Sequence, residues 1–253
     1  MPTPPLSVQL YTVREALEAD LDGTIDRLAA MGFTRAEPYN FAANTEALSV
    51  ALQRNGMTAP TGHAPLLDGD RDLIFEAART LGIGTVIDPM VDPVRWSTEE
   101  AIVQTAQALN EVALLGAEYG VTVGYHNHWW ELETDFDGRT GLELLAEALD
   151  PAVVLEVDTY WVAVGGQNPA ELLKKLGDRV RYIHIKDGAV DKDNKSQVAV
   201  GAGAGRMDIP AVLAAAASVE VGVVELDDSA GDLFQALEDS LRYLQPDSRQ
   251  AQA

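Results

Sequence analysis

Eight short runs of β-forming residues alternate along the chain with eight longer stretches of helical periodicity. The short runs are Ser7–Tyr11, Thr34–Pro38, Thr58–His63, Thr85–Met90, Val121–His126, Val153–Asp158, Arg181–Lys186 and Val221–Glu225. The helical patterns cover Leu21–Met31, Thr45–Asn55, Arg71–Leu81, Thr98–Tyr119, Thr140–Leu149, Pro169–Leu176, Ile209–Ala217 and Asp232–Leu244. This alternation leaves few folds open, because consecutive parallel strands need a crossover and a helix supplies it. Eight such units in 253 residues predict one α/β domain, a (β/α)8 TIM barrel over residues 1–253, since such barrels run to about 250 residues. The clearest helix is "STEEAIVQTAQALNEVALLGAEYG", with Ser97 as the expected N-cap, acids in its first turn and Gly120 closing it. The rival fold, a doubly wound open sheet, calls for a Gly-rich fingerprint after the first strand, where "LYTVRE" stands instead. The polar end "QPDSRQAQA" predicts a flexible tail from about residue 246 to 253.

Hydrophobic residues make up 47% of the chain, enough for a core but nowhere gathered into a membrane span of roughly 18 apolar residues. The start, "MPTPPLSVQLYTVRE", shows no basic and apolar leader pattern, so a cytoplasmic enzyme is expected. There is no cysteine, which excludes disulfides, thiolate zinc sites and cysteine nucleophiles. Forty acidic residues against eighteen basic ones give a net charge of −22, which repels phosphate backbones and argues against a nucleic-acid partner.

Side chains alternate across a strand, so in a barrel one face meets the helices and the other the interior. In "RYIHIKD" the isoleucines Ile183 and Ile185 face the helices, which turns Tyr182, His184 and Lys186 inward. In "VVLEVD" Glu156 and Asp158 turn inward, and in "VGVVEL" Glu225 does. In "VTVGYHNH" Gly124, His126 and His128 share the inner face, with Tyr125 on the wall. By the same parity Thr61 and His63 share a face, Arg35 and Glu37 another, and Gln9 and Tyr11 point inward. All four histidines thus fall at the C-terminal ends of strands, with carboxylates beside them, at the rim where barrel active sites lie. Buried charges are costly unless paired or bound to metal, and a divalent cation is the simplest partner for so many convergent carboxylates.

In this order and at these strand ends, "YHNHWWE", "LEVDTYW", "IHIKDG" and "VVELD" resemble the xylose-isomerase-like TIM barrels. That group includes sugar phosphate isomerases/epimerases, hydroxypyruvate isomerase, inosose dehydratase and apurinic-site endonucleases. The resemblance runs from "SVQLYTVRE" to "VVELDDS". It implies one divalent metal, Mn2+, Mg2+ or Co2+ with Zn2+ as a further option, held by Glu131, Asp158, His184 and Glu225. Where many relatives carry the first glutamate on the fifth strand this chain has His126, so His126 or His128 is the alternative first ligand. Glu131, Glu225 and His128 are the implied acid–base groups, and Lys186 a group that steadies an oxyanion or pairs with Asp158 or Glu156. His63, His126, Tyr11, Glu37, Trp161 and Arg206 are the expected substrate contacts, with Trp129 and Trp130 completing an apolar wall. "GAGAG" departs from the group's glycine pair; it lacks the lysine of a phosphate loop and reads as a flexible rim loop.

The reading that follows is an isomerase or epimerase of a sugar, sugar phosphate or polyol ketone, working by metal-assisted proton transfer through an enediolate. A dehydratase shares every residue named and stands as the alternative. A phosphodiesterase or endonuclease would need more histidines than four. A non-catalytic sugar-binding barrel would be indifferent to metal. The expected partner is a small sugar or polyol, with no membrane and a homo-oligomer possible in principle.

Overall fold

The computed structural model describes residues 3–245, so the expected tail at 246–253 lies outside the described residues. Eight parallel strands form one sheet: β1 Leu6–Gln9, β2 Ala36–Glu37, β3 Thr61–His63, β4 Thr85–Asp88, β5 Thr122–His126, β6 Val153–Asp158, β7 Val180–Ile185 and β8 Val221–Val224. Their order is β2-β1-β8-β7-β6-β5-β4-β3. Parallel bridges Arg35–Thr58 and Tyr39–His63 join the two ends, so the sheet is a nearly closed barrel. Each strand is followed by a helix: α1 Leu21–Met31, α2 Thr45–Arg54, α3 Arg71–Leu81, α4 Glu99–Glu118, α5 Gly141–Ala148, α6 Pro169–Leu176, α7 Ile209–Ala215 and α8 Leu233–Leu244. Among the described residues no helix is long and apolar enough to cross a membrane.

The outward faces of the strands, including Val8, Val123, Leu155, Ile183 and Val224, pack under Ile25, Leu28, Phe75, Ile102, Leu145 and Leu237 of the helices. Each such fully buried side chain contributes roughly 1.5–3 kcal/mol. A second, separate cluster of Ile87, Val154, Tyr182, Val221 and Val223 fills the barrel's interior, as parity requires. It plugs the barrel and forms the floor beneath the polar residues above it.

Two local expectations shift. Helix α4 is capped by Thr98, whose side chain accepts from the Ala101 N–H at 3.2 Å, not by Ser97. The Ser97 hydroxyl instead donates to the Val94 carbonyl at 2.7 Å and closes the short turn before the helix. Gly120 follows the helix with φ +72°, the left-handed conformation expected of a helix stop. Strand β1 ends at Gln9, where a 3-10 turn over Leu10–Val13 begins. Tyr11 therefore leaves the inward alternation and lies 39% exposed on the rim, edge-on to Tyr39.

Candidate active site

Above the apolar floor the inward positions turn polar and stay buried. Glu37, at the end of β2, is fully buried. It accepts from Gln9 Nε2 at 2.8 Å and from the Thr61 hydroxyl, and meets His184 Nε2 at 2.8 Å and His63 Nε2 at 3.2 Å. Glu156, on β6, gathers three imidazoles on one oxygen, Oε2: His63 Nε2 at 2.6 Å, His184 Nε2 at 3.1 Å and His126 Nδ1 at 3.2 Å. The pairing of β6 with β7 shifts register between Leu155 and Glu156, an irregularity of the kind that re-aims a side chain at a site. His184 links the two layers, since its Nδ1 lies 2.7 Å from Glu225 Oε2.

Nearer the mouth, Lys186 is buried among three acids. Its Nζ lies 2.9 Å from Asp158 Oδ2, 2.7 Å from Glu225 Oε2 and 2.7 Å from Asp227 Oδ2. Its contact with Asp227 is a well-aligned hydrogen bond. Asp158 also caps the short helix Thr159–Val164 by accepting from the Trp161 N–H at 2.9 Å, which holds its other oxygen toward the site. Asn127 ties β5 to β6 by accepting from the Asp158 N–H at 3.0 Å. An aromatic wall borders this layer: His128 stacks on Trp130 at 4.3 Å, and Trp129 meets Trp161 at 4.7 Å.

Burial and charge set the protonation states. Burial opposes charge on His63, yet Glu37 and Glu156 push it up to about 10. His184 is likewise raised well above its ordinary value, against burial, by Glu156 and Glu225. Burial opposes ionisation of Glu37 too, but His63 and His184 hold it below the usual carboxylate range. For Glu225 the Lys186 and His184 charges do the same. His126 goes the other way: burial, with the His184 charge, keeps it neutral. His128 is depressed to about 3 by burial and then by Lys186, so it is a neutral imidazole whose Nδ1 has no hydrogen-bond partner. Burial raises Asp158 to about 6 against the pull of Lys186 and His184.

Of the four expected metal ligands, the fold brings three together. Asp158, His184 and Glu225 each offer a ligand atom, all within 4.8 Å of one another. It does not bring Glu131 to them. Glu131 sits in the short helix Trp130–Glu133, fully buried, with Oε1 taken by the Tyr125 hydroxyl at 2.6 Å and Oε2 by the His128 N–H at 2.9 Å. A second set with atoms equally close is His63, His126, Glu156 and His184. Of the expected substrate contacts, His63, His126 and Glu37 lie inside the hydrogen-bonded network, and Trp161 is 1% exposed in the wall. Arg206 is exposed and lines a groove with Ala163, Pro169, Val190 and Val212, apart from the cluster.

The loop holding "GAGAG", expected as a flexible rim loop, is tied to the barrel at the start of that run and just past its end. The buried Asp187 carboxylate accepts from Gly188 at 2.9 Å and from Gly201 and Met207 at 3.2 Å. At Gly201, where φ is +74°, a Cβ would overlap the Tyr243 ring, and a Cβ at Gly205 would overlap the Asp187 carboxylate. Those two glycines are required by close approach, which accounts for the spacing. Three contributors carry little or no signal in the sequence. Glu156 was legible as inward but not as the hub of three imidazoles. Asp227 lies past the end of β8, and Gln197 sits in a distant two-stranded hairpin pairing Asp187–Gly188 with Gln197–Val198, with no local signal.

A (β/α)8 barrel with a buried imidazole–carboxylate cluster at the C-terminal ends of its strands belongs to the class of barrel proteins that work at that rim. Within that class the chain belongs to the xylose isomerase-like TIM barrel family, whose model matches residues 25–246. It is 25% identical over 202 residues to an inosose dehydratase of Geobacillus thermodenitrificans, covering 70% of this chain and 67% of that one. Among solved structures it resembles a sugar phosphate isomerase/epimerase of Parabacteroides distasonis, with a TM-score of 0.81 at 21% identity over 98% of this chain and 96% of that one. It also resembles a probable 3-DHS dehydratase of Bacillus anthracis, with a TM-score of 0.75 at 14% identity over 94% and 98%. At such identities these structures show the shared fold.

Proposed function

We propose that the chain is a divalent-metal-dependent isomerase or epimerase of a sugar or related polyol ketone, acting by proton transfer next to a carbonyl. The observation that carries this reading is the convergence of Asp158, His184 and Glu225 beside the neutral, unpartnered imidazole of His128. The donor set fits a cation in kind: two buried carboxylates and an imidazole converge, with Asp158 Oδ2 paired to the Lys186 ammonium at 2.9 Å. His126 supports the fourth place in the set better than Glu131 does, since its neutral Nε2 lies 3.6 Å from Asp158 Oδ2 while both Glu131 oxygens are engaged. Two carboxylates and two imidazoles suit Mn2+, Co2+ or Zn2+ better than Mg2+, which favours oxygen. When bound, such a cation polarises a substrate carbonyl and acidifies the neighbouring C–H.

The protein's own groups do the rest. His128 is the first base candidate, its backbone N–H fixed by Glu131 and its ring by Trp130; burial holds its basicity low, so the transfer relies on the acidified C–H that a bound cation supplies. Glu225 is the second acid–base candidate across the site. Trp129 and Trp161 offer an apolar wall for the C–H face of a sugar. Metal-stripped protein is expected to lose turnover and recover it with Mn2+, and Asp158→Asn to bind metal and turn over on the order of 100-fold less well. Full activity after stripping would sink the reading.

A dehydratase is the second reading, favoured by the likeness to an inosose dehydratase over 70% of the chain. The same base would serve, with the enediolate expelling a β-hydroxyl. Solvent deuterium entering at the α-carbon without loss of water supports the isomerase. Loss of water without any aldose–ketose or epimer interchange establishes the dehydratase.

A further inference from the structure

We propose that Asp227, clamped by Gln197, is a docking point that draws the Lys186 ammonium off Asp158 and Glu225 and so frees those carboxylates for a divalent cation. The inference rests on the metal reading above. Lys186 Nζ lies within 2.9 Å of oxygens of both Asp158 and Glu225, the same two acids that with His184 make the candidate metal site. An ammonium and a divalent cation compete for those carboxylates, because like charges at such range repel in a buried setting. Lys186 is therefore a resident competitor for the site.

The third acid decides where that competitor rests. Lys186 donates a hydrogen bond to Asp227 Oδ2 at 2.7 Å. Asp227 is itself fixed from two sides: Gln197 Nε2 donates to its Oδ2 at 2.8 Å, and its own N–H donates to Gln197 Oε1 at 2.8 Å. Gln197 is fully buried, and its backbone carbonyl accepts from the Ser229 hydroxyl at 2.9 Å. Arg14 Nη1 adds a bond to the Asp227 carbonyl at 2.8 Å. A carboxylate held this firmly, two residues beyond Glu225, keeps a counter-charge for Lys186 after its other two partners are taken. Asp227 and Gln197 are thus positioning residues that act on metal affinity through Lys186.

The test is calorimetric titration of Mn2+ into metal-free wild type, Asp227→Asn, Lys186→Met and the double variant, with a thermal melt of each. Asp227→Asn keeps the shape and removes the charge, and is expected to raise the Mn2+ dissociation constant about tenfold or more. In the Lys186→Met background the same change is expected to alter it less than about twofold. Gln197→Leu, with and without Lys186→Met, should repeat the pattern and serves if Asp227→Asn melts early. An unchanged constant in Asp227→Asn, or an equal loss with and without Lys186, overturns the inference while leaving the metal reading intact. Wild type that binds no Mn2+ overturns both.

Discussion

At the scale of single residues, Glu131 shows how far strand parity reaches. Parity places His126, Glu156, Asp158, His184 and Glu225 because each sits on a strand or one residue beyond it. Glu131 lies five residues past the end of β5, and its direction is set by the short helix Trp130–Glu133 and by Tyr125, which no periodicity reports. The same surroundings give a prediction. Burial raises Glu131 from 4.5 to about 7, against the hydrogen bonds from Tyr125 and His128. A folded-state value above the unfolded one contributes stability that is whole below about 4.5 and lost as pH climbs through about 7. That loss amounts to roughly 3 kcal/mol at most. Glu131→Gln mimics the protonated acid, because the Tyr125 hydroxyl can turn to accept from the amide while the carbonyl keeps the His128 N–H. In urea denaturation without metal, the variant should match wild type near pH 5 and exceed it near pH 8. Wild type the more stable of the two at pH 8 would show that the ionised carboxylate is the form the fold requires.

At the scale of elements, helices were more legible than strands. The spans Leu21–Met31, Arg71–Leu81 and Pro169–Leu176 coincide with their periodic runs, and Asp20, Asp70 and Asn168 cap them immediately upstream. Such signals are local. Strand ends are not: β2 keeps two residues of the five expected, because its extent depends on neighbours distant in sequence. The segment between β7 and α7 was the least legible, since its order comes from Asp187 gathering N–H groups from residues 188, 201 and 207. Removing that carboxylate leaves three donors short of a partner, each costing about 1–3 kcal/mol if it stays buried. Asp187→Ala is therefore expected to loosen residues 199–207 well below the melting temperature. Arg206 is exposed there, and the next N–H, of Met207, is one that Asp187 holds. Trypsin should cleave after Arg206 several-fold faster in the variant. Equal rates would mean that the Arg206 N–H to Gly188 carbonyl bond holds the loop without Asp187.

At the scale of the whole molecule, the excess of acid divides into two populations with different physics. Inside, acids are matched by His63, His184 and Lys186 at short range, and salt does not reach them. Outside, many basic side chains are already spent: Arg54 on Asp22 and Asp26, Arg242 on Glu238 and Asp239, Lys192 on Glu133. Forty acids against eighteen bases leave the rest of the surface repelling itself. Added salt weakens the exposed pairs, each worth about 0–1 kcal/mol, and also screens the repulsion over a Debye length of about 8 Å at 0.15 M. With a net charge of −22 the second effect outweighs the first. The melting temperature of metal-free protein should rise by several degrees between about 10 and 300 mM NaCl. Tetramethylammonium chloride separates screening from cation binding, because that ion is too large for the site between Asp158 and Glu225 yet screens as sodium does. An equal rise in both salts is the expected result. A rise in sodium alone would move the effect to the site, and a fall in both would show that the surface ion pairs hold the barrel together.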